Sequence, residues 1–137
     1  MSATYRVEHV VTFAETNLVG NVYFAEYAKW QGICREQFLF DFAPATVESV
    51  SSGQLALVTL DCALKFHAEA FAGDVITIEM SLQATSRNRI SMTFRYRRDD
   101  EVIATGSQSV ACLRRTHAGL VPVPIPDDLT AALHTHR

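Results

Sequence analysis

From residue 55 onward the apolar side chains of this chain recur at every second position, and only one stretch upstream, residues 22–42, spaces them as a helix does. Val58, Leu60, Cys62, Leu64 and Phe66 share one parity within residues 55–68. Ile76, Ile78, Met80 and Leu82 alternate with Thr77, Glu79 and Ser81 in residues 75–82, and residues 90–97 alternate most cleanly of all. Asp99-Asp100-Glu101 reads as a hairpin turn into a further strand, residues 102–113. Before the helix, residues 5–13 give one more strand, with Tyr5, Val7, His9, Val11 and Phe13 on one side. The helix carries Phe24, Tyr27, Ala28, Cys34, Phe38, Leu39 and Phe42 at helical spacing, with Trp30 and Ile33 on other faces. It is therefore apolar nearly all round and expected to be buried. Pro44 is expected to close it, residues 45–53 to be looser, and the Pro-punctuated tail, residues 122–133, to end in a short helix. One long helix beside about five antiparallel strands has few stable solutions. The expected class is α+β, an antiparallel five-stranded sheet wrapped around one long central helix, whose second face calls for a partner subunit.

Composition narrows the class further. A chain of 137 residues suits one domain, residues 1–137, and 48% apolar content at a formal charge of −3 excludes disorder. No run approaches the roughly 18–20 apolar residues of a membrane helix. The start, Met1-Ser2-Ala3-Thr4-Tyr5-Arg6, lacks the layout of a secretory signal, so a cytoplasmic location is expected. Cys34, Cys62 and Cys112 form no disulfide or zinc spacing and read as buried free thiols. Seven arginines (Arg87, Arg89, Arg95, Arg97, Arg98, Arg114, Arg115) face only Asp99, Asp100 and Glu101 in their stretch. They are either a solvated strand face or a landing site for an anionic partner. Nucleic acid is the weaker candidate, because no recognition motif accompanies them.

Arg35 breaks the apolar helix, four residues after Gln31 and eight after Tyr27, so the three share a stripe. Its guanidinium either snorkels out or pairs with Asp61 or Glu36, or it holds a carbonyl or carboxylate. At the helix start, Gly20-Asn21 leads into backbone N–H groups suited to an oxyanion. Asn17 just before them is either a turn-stabilising side chain or a catalytic one. No Gly-x-Ser-x-Gly elbow, phosphate loop or dinucleotide fingerprint occurs, and no cofactor is expected. His9, His67 and His117 are scattered, and neither His134/His136 as metal ligands nor Cys34 as nucleophile has support from its surroundings.

Residues 12–27, Thr-Phe-Ala-Glu-Thr-Asn-Leu-Val-Gly-Asn-Val-Tyr-Phe-Ala-Glu-Tyr, resemble the signature of the 4-hydroxybenzoyl-CoA-type thioesterases, which have the hot-dog fold. Trp30 and Arg35-Glu36 continue the likeness, which covers essentially the whole chain. Where that family carries a catalytic Asp, this chain has Asn17, and an amide is neither a general base nor a nucleophile. The closer resemblance is to the acyl-carrier-protein thioesterases of enediyne polyketide biosynthesis, which similarly carry Asn. That resemblance implies hydrolysis of a polyene β-keto acyl thioester from the acyl carrier domain of an iterative polyketide synthase. The released β-keto acid can then lose CO2 to leave a methyl ketone. It implies roles for Asn17 (orienting water or the acyl carbonyl), for the Phe24 backbone N–H (oxyanion) and for Arg35 (polarising the thioester or β-keto oxygen). Tyr27 and Thr59 would be wall or hydrogen-bonding residues, Gly20 would shape the loop, and Glu36 would fix Arg35 or serve as a distant base. It further implies a homo-oligomer, a dimer or dimer of dimers, with the site shared between subunits and the arginines facing the carrier. An acyl-CoA thioesterase of primary metabolism and a non-catalytic acyl-binding or assembly protein are the alternatives.

Overall fold

The computed structural model describes residues 2–135. His136 therefore lies outside the described residues. The chain runs β1 (Ser2–Val10), a 3-10 turn (Phe13–Glu15), α1 (Ala25–Phe42), α2 (Pro44–Ser51), β2 (Ala56–Phe66), β3 (Val75–Ala84), β4 (Arg89–Arg98), β5 (Glu101–Thr116), β6 (Gly119–Pro122) and α3 (Asp127–Thr135). The strands form one antiparallel sheet in the order β1-β3-β4-β5-β2, with the short β6 paired to β5 alone. The expected architecture is present, with β6 as a sixth strand that four residues of weak alternation did not announce. Ile76, Ile78, Met80 and Leu82 on β3 and Ile90, Met92, Phe94 and Tyr96 on β4 are all buried, as period two requires. They face Trp30, Cys34 and Phe38 of α1 across the core.

Several expectations need correction. Pro44 does not merely close the first helix: Phe42 ends it, and Pro44 sits in the first turn of α2, where its missing N–H costs nothing. Residues 45–53 are thus largely helical. The start of α2 is held from a distance, because the Asp128 carboxylate accepts from the Ala45 N–H at 2.8 Å and the Thr46 hydroxyl at 2.5 Å. Nor is α1 buried all round. Tyr27, Trp30, Gln31, Cys34, Phe38 and Leu39 are buried, while Phe40, and Phe24 just before the helix, stay 63% and 59% exposed, since one curled sheet covers only one side of a helix. Strand β1 stops at Val10, not at Phe13, which starts the 3-10 turn.

On β2 the expected single face fails at a bulge. Thr59 pairs with Val110 and Asp61 with Ser109, so Leu60 is the extra residue. Parity flips there: Leu57 and Thr59 share the helix side with Cys62, Leu64 and Phe66, and Val58 moves to the other side with Asp61. Cys34 and Cys112 are buried free thiols, whereas Cys62 is exposed. At the β4–β5 hairpin, Asp99 takes a positive φ of 53°, as a tight acidic turn requires.

Candidate active site

The helix start is set by a tight loop. Gly20 N–H donates to the Asn17 carbonyl and Asn17 N–H to the Asn21 carbonyl, both at 2.9 Å, with Gly20 at φ 94°, a conformation that favours glycine. The Asn17 side-chain oxygen accepts from the Val19 N–H at 3.0 Å, so the turn-stabilising role is present. The Asn17 amide nitrogen stays available, and Asn17 is exposed. Tyr23 N–H is used by the Glu15 carbonyl, while the Phe24 and Ala25 N–H groups have no acceptor among the described residues. Asn17, Phe24 and Tyr27 line one hollow of about 310 Å³ together with Phe66 and Glu69. Tyr27 is a wall, 2% exposed, its ring centroid 5.0 Å from that of Phe66 and 5.2 Å from that of Tyr96.

Glu15 anchors this loop. Its carboxylate accepts from the Thr12 N–H, His9 Nε2 and Trp30 Nε1, each at 2.8 Å. Burial alone would raise the Glu15 pKa, but the bonds from Thr12, His9 and Trp30 outweigh it and bring it down to about 2. A carboxylate whose folded value is depressed stabilises the fold above its unfolded value, near 4.5, and loses that contribution as pH falls toward 2. The wild type is expected to lose on the order of 2 kcal/mol more than Glu15→Gln between pH 5 and pH 2, measured by urea denaturation. Parallel pH curves for the two proteins would refute this anchor.

Arg35 lies elsewhere. Eight residues along α1 from Tyr27 is about 12 Å, and Arg35 opens on a second hollow of about 310 Å³ with Glu36, Leu39, Phe40, Val47 and Leu57. Arg35 also borders an apolar cleft of about 10 Å³, room for no more than one water, with Leu39, Leu82, Ile90, Met92 and Leu129. Arg35 Nη1 donates to Gln108 Oε1 at 2.6 Å and to Thr59 Oγ1 at 3.4 Å, the latter made possible by the β2 bulge. Neither Asp61 nor Glu36 pairs with it among the described residues; Asp61 instead accepts from the Ser109 hydroxyl at 2.6 Å. Arg35 Nε is buried and has no partner among the described residues. One chain thus brings Asn17, Gly20, Phe24 and Tyr27 to one place and Arg35, Glu36 and Thr59 to another. Gln108 and Glu15 were not expected. A polar side chain on the inward parity of β5 was the signal for Gln108.

Burial pushes the Cys34 thiol up to about 12, which excludes it as a nucleophile near neutral pH. Of the seven arginines, Arg97 pairs with Glu79 and Arg98 with Asp74 and Glu101. Arg87, Arg89, Arg95, Arg114 and Arg115 are exposed and make no ion pair among the described residues. Among the described residues there is no group of three or more potential metal ligands, and no helix is long and apolar enough to cross a membrane.

Comparison with known proteins places this geometry. The Thioesterase-like superfamily matches residues 11–133. The chain is similar to the dynemicin thioesterase, whose crystal structures revealed induced-fit and allosteric effects upon polyene binding. The two are 47% identical over 97% of this chain and 96% of that one, with a TM-score of 0.92. It is also similar in fold to a 1,4-dihydroxy-2-naphthoyl-CoA thioesterase from Synechocystis, at 20% identity over 96% of each chain and a TM-score of 0.88. Among curated proteins, a 1,4-dihydroxy-2-naphthoyl-CoA hydrolase of Synechococcus elongatus is 25% identical over 89% of this chain and 90% of that protein.

Proposed function

The chain belongs to the thioesterase-like superfamily and is a thioester hydrolase of the hot-dog fold, and from that premise we propose that it cleaves a β-keto acyl chain from an acyl carrier domain. The substrate is a polyene thioester made by an iterative polyketide synthase of the enediyne type. The observation that carries this reading is Arg35: a half-buried guanidinium, held by neutral groups, on a largely apolar groove of about 310 Å³. An acyl chain suits the groove, and a β-keto oxygen suits the cation. The 47% identity to the dynemicin thioesterase supports the polyene class.

A thioester with a β-keto group is electrophilic enough for direct attack by water, so an amide at position 17 suffices. Asn17 orients the water or the acyl carbonyl, and the Phe24 N–H receives the oxyanion. The tetrahedral intermediate then breaks its C–S bond, and the departing sulfur takes up a proton as thiol. The acid released carries its keto group β to the carboxyl, so loss of CO2 gives a methyl ketone. Tyr27 and Gly20 shape the acyl-carbonyl side, and Thr59 and Glu36 line the Arg35 side.

Because Asn17 and Arg35 stand apart within one chain, the working site pairs the Asn17 loop of one copy with Arg35 of another, in a dimer or dimer of dimers. Leu18, Val19 and Phe13 at the loop are 106%, 81% and 85% exposed, the apolar surface such a contact covers. The exposed arginines then face the acidic carrier or its phosphopantetheine. Residues 1–137 act as one thioesterase domain, in the cytoplasm, without a cofactor.

Thiol release tests the substrate class. A carrier-bound β-keto acyl chain is expected to turn over at least tenfold faster, in kcat/KM, than an aryl-CoA such as 1,4-dihydroxy-2-naphthoyl-CoA. The curated relatives favour the aryl-CoA reading, and the reverse preference would establish it. Binding of either thioester without turnover would make this an acyl-binding protein.

A further inference from the structure

The Arg35 guanidinium is held by a chain of side-chain amides. Gln108 Oε1 accepts from Arg35 Nη1 at 2.6 Å, and Gln108 Nε2 donates to Gln31 Oε1 at 3.2 Å. Gln31 Oε1 also accepts from Cys62 Sγ at 3.3 Å, and Gln31 Nε2 donates to the Ala63 carbonyl at 3.4 Å. Both glutamines are buried, Gln31 at 0% and Gln108 at 6% exposure. Each amide fixes the next, because a donor at one end leaves only the carbonyl oxygen to face Arg35. The backbone makes room for the chain at one point: a Cβ on Gly106 would lie 2.4 Å from Gln31 Nε2 and 2.9 Å from the Ala63 oxygen. Glycine is required there for space.

The chemistry of the acceptor matters as much as its position. A carboxylate at position 108 would still accept from the guanidinium, but it would cancel the charge and lose the donor to Gln31 Oε1. An amide satisfies the donor and leaves the charge in place. Among the described residues no acid pairs with Arg35; Glu36 shares its hollow from α1, and Cys62 joins the chain from β2. Arg35 Nε is buried and has no partner among the described residues, while the side chain lines the open hollow.

We propose that Gln108 is a positioning residue that fixes Arg35 through a neutral amide so that its undischarged charge meets the acyl group. This rests on the catalytic reading of Arg35 given above. The test compares Gln108→Met, which removes the acceptor, with Gln108→Glu, which keeps it and adds charge, beside Arg35→Ala. Turnover of a carrier-bound β-keto acyl thioester is read with the Arg35 Nε–H resonance in 15N NMR.

In Gln108→Met the resonance is expected to broaden or vanish, and kcat to fall at least tenfold with KM within threefold. In Gln108→Glu the resonance is expected to persist while kcat still falls at least tenfold. A purely structural glutamine would not separate these readouts. An unchanged resonance in Gln108→Met, or wild-type kcat in Gln108→Glu, overturns the proposal while an inactive Arg35→Ala leaves the site reading standing. Full activity of Arg35→Ala overturns both.

Discussion

Arg35→Ala is expected to lose at least 100-fold in kcat/KM while melting within a few degrees of the wild type. The loss corresponds to about 2.7 kcal/mol of transition-state stabilisation, the usual scale for one donor aimed at developing charge in a water-poor site. The fold tolerates the change because the side chain makes no ion pair among the described residues and contributes only its bonds to Gln108 and Thr59. Removing it leaves Gln108 Oε1 without that donor, at a cost of about 1 kcal/mol, well short of unfolding. Arg35→Lys is expected to recover little, since an ammonium cannot hold Gln108 and present a second planar N–H to the substrate together. Steady-state thiol release and a thermal melt on the same preparation separate the two effects. Wild-type turnover in Arg35→Ala would make the arginine structural.

Trp30→Ala is the substitution expected to cost most in stability, about 3–5 kcal/mol. Trp30 is 1% exposed, and its ring centroid lies 4.8 Å from that of His9 and 4.9 Å from that of Tyr27. Its indole N–H also donates to Glu15 at 2.8 Å. The alanine therefore opens a cavity and removes one of the donors that hold the Asn17 loop. Trp30→Phe fills most of the space and loses only the hydrogen bond, so about 1–2 kcal/mol is expected. Urea denaturation of the two variants separates packing from anchoring, and wild-type stability in Trp30→Phe would show that the bond to Glu15 contributes nothing.

The sheet was legible because antiparallel strands with one buried face must alternate, and β3 and β4 do so over residues 76–82 and 90–96. What stayed hidden depends on contacts distant in sequence. The bulge at Leu60 leaves no mark in a strand whose apolar residues continue past it, yet it decides that Thr59 and not Val58 faces Arg35. Asp128, which holds the start of α2, lies 82 residues from Thr46. Arg35 stood out as a charged residue in an apolar helix, and Asn17 stood out through the family resemblance, as an amide where an acid is usual. Gln108 did not, because its partner is 73 residues away and an isolated Gln in a strand carries no chemistry of its own. The arginines looked like one set in sequence, but Arg97 pairs with Glu79 and Arg98 with Asp74 and Glu101, while the other five make no ion pair among the described residues, although register sets Arg95 opposite Glu79.

The central claim is that this chain releases a β-keto acyl chain from a carrier domain by hydrolysis. Its most direct test is product analysis by mass spectrometry after mixing the purified protein with a loaded iterative polyketide synthase. The account predicts free β-keto acid and the methyl ketone derived from it, with the carrier returned to its thiol form. Arg35→Ala should leave the carrier loaded. A carrier that stays acylated in the presence of the wild-type protein, with no acid or ketone in solution, would contradict it.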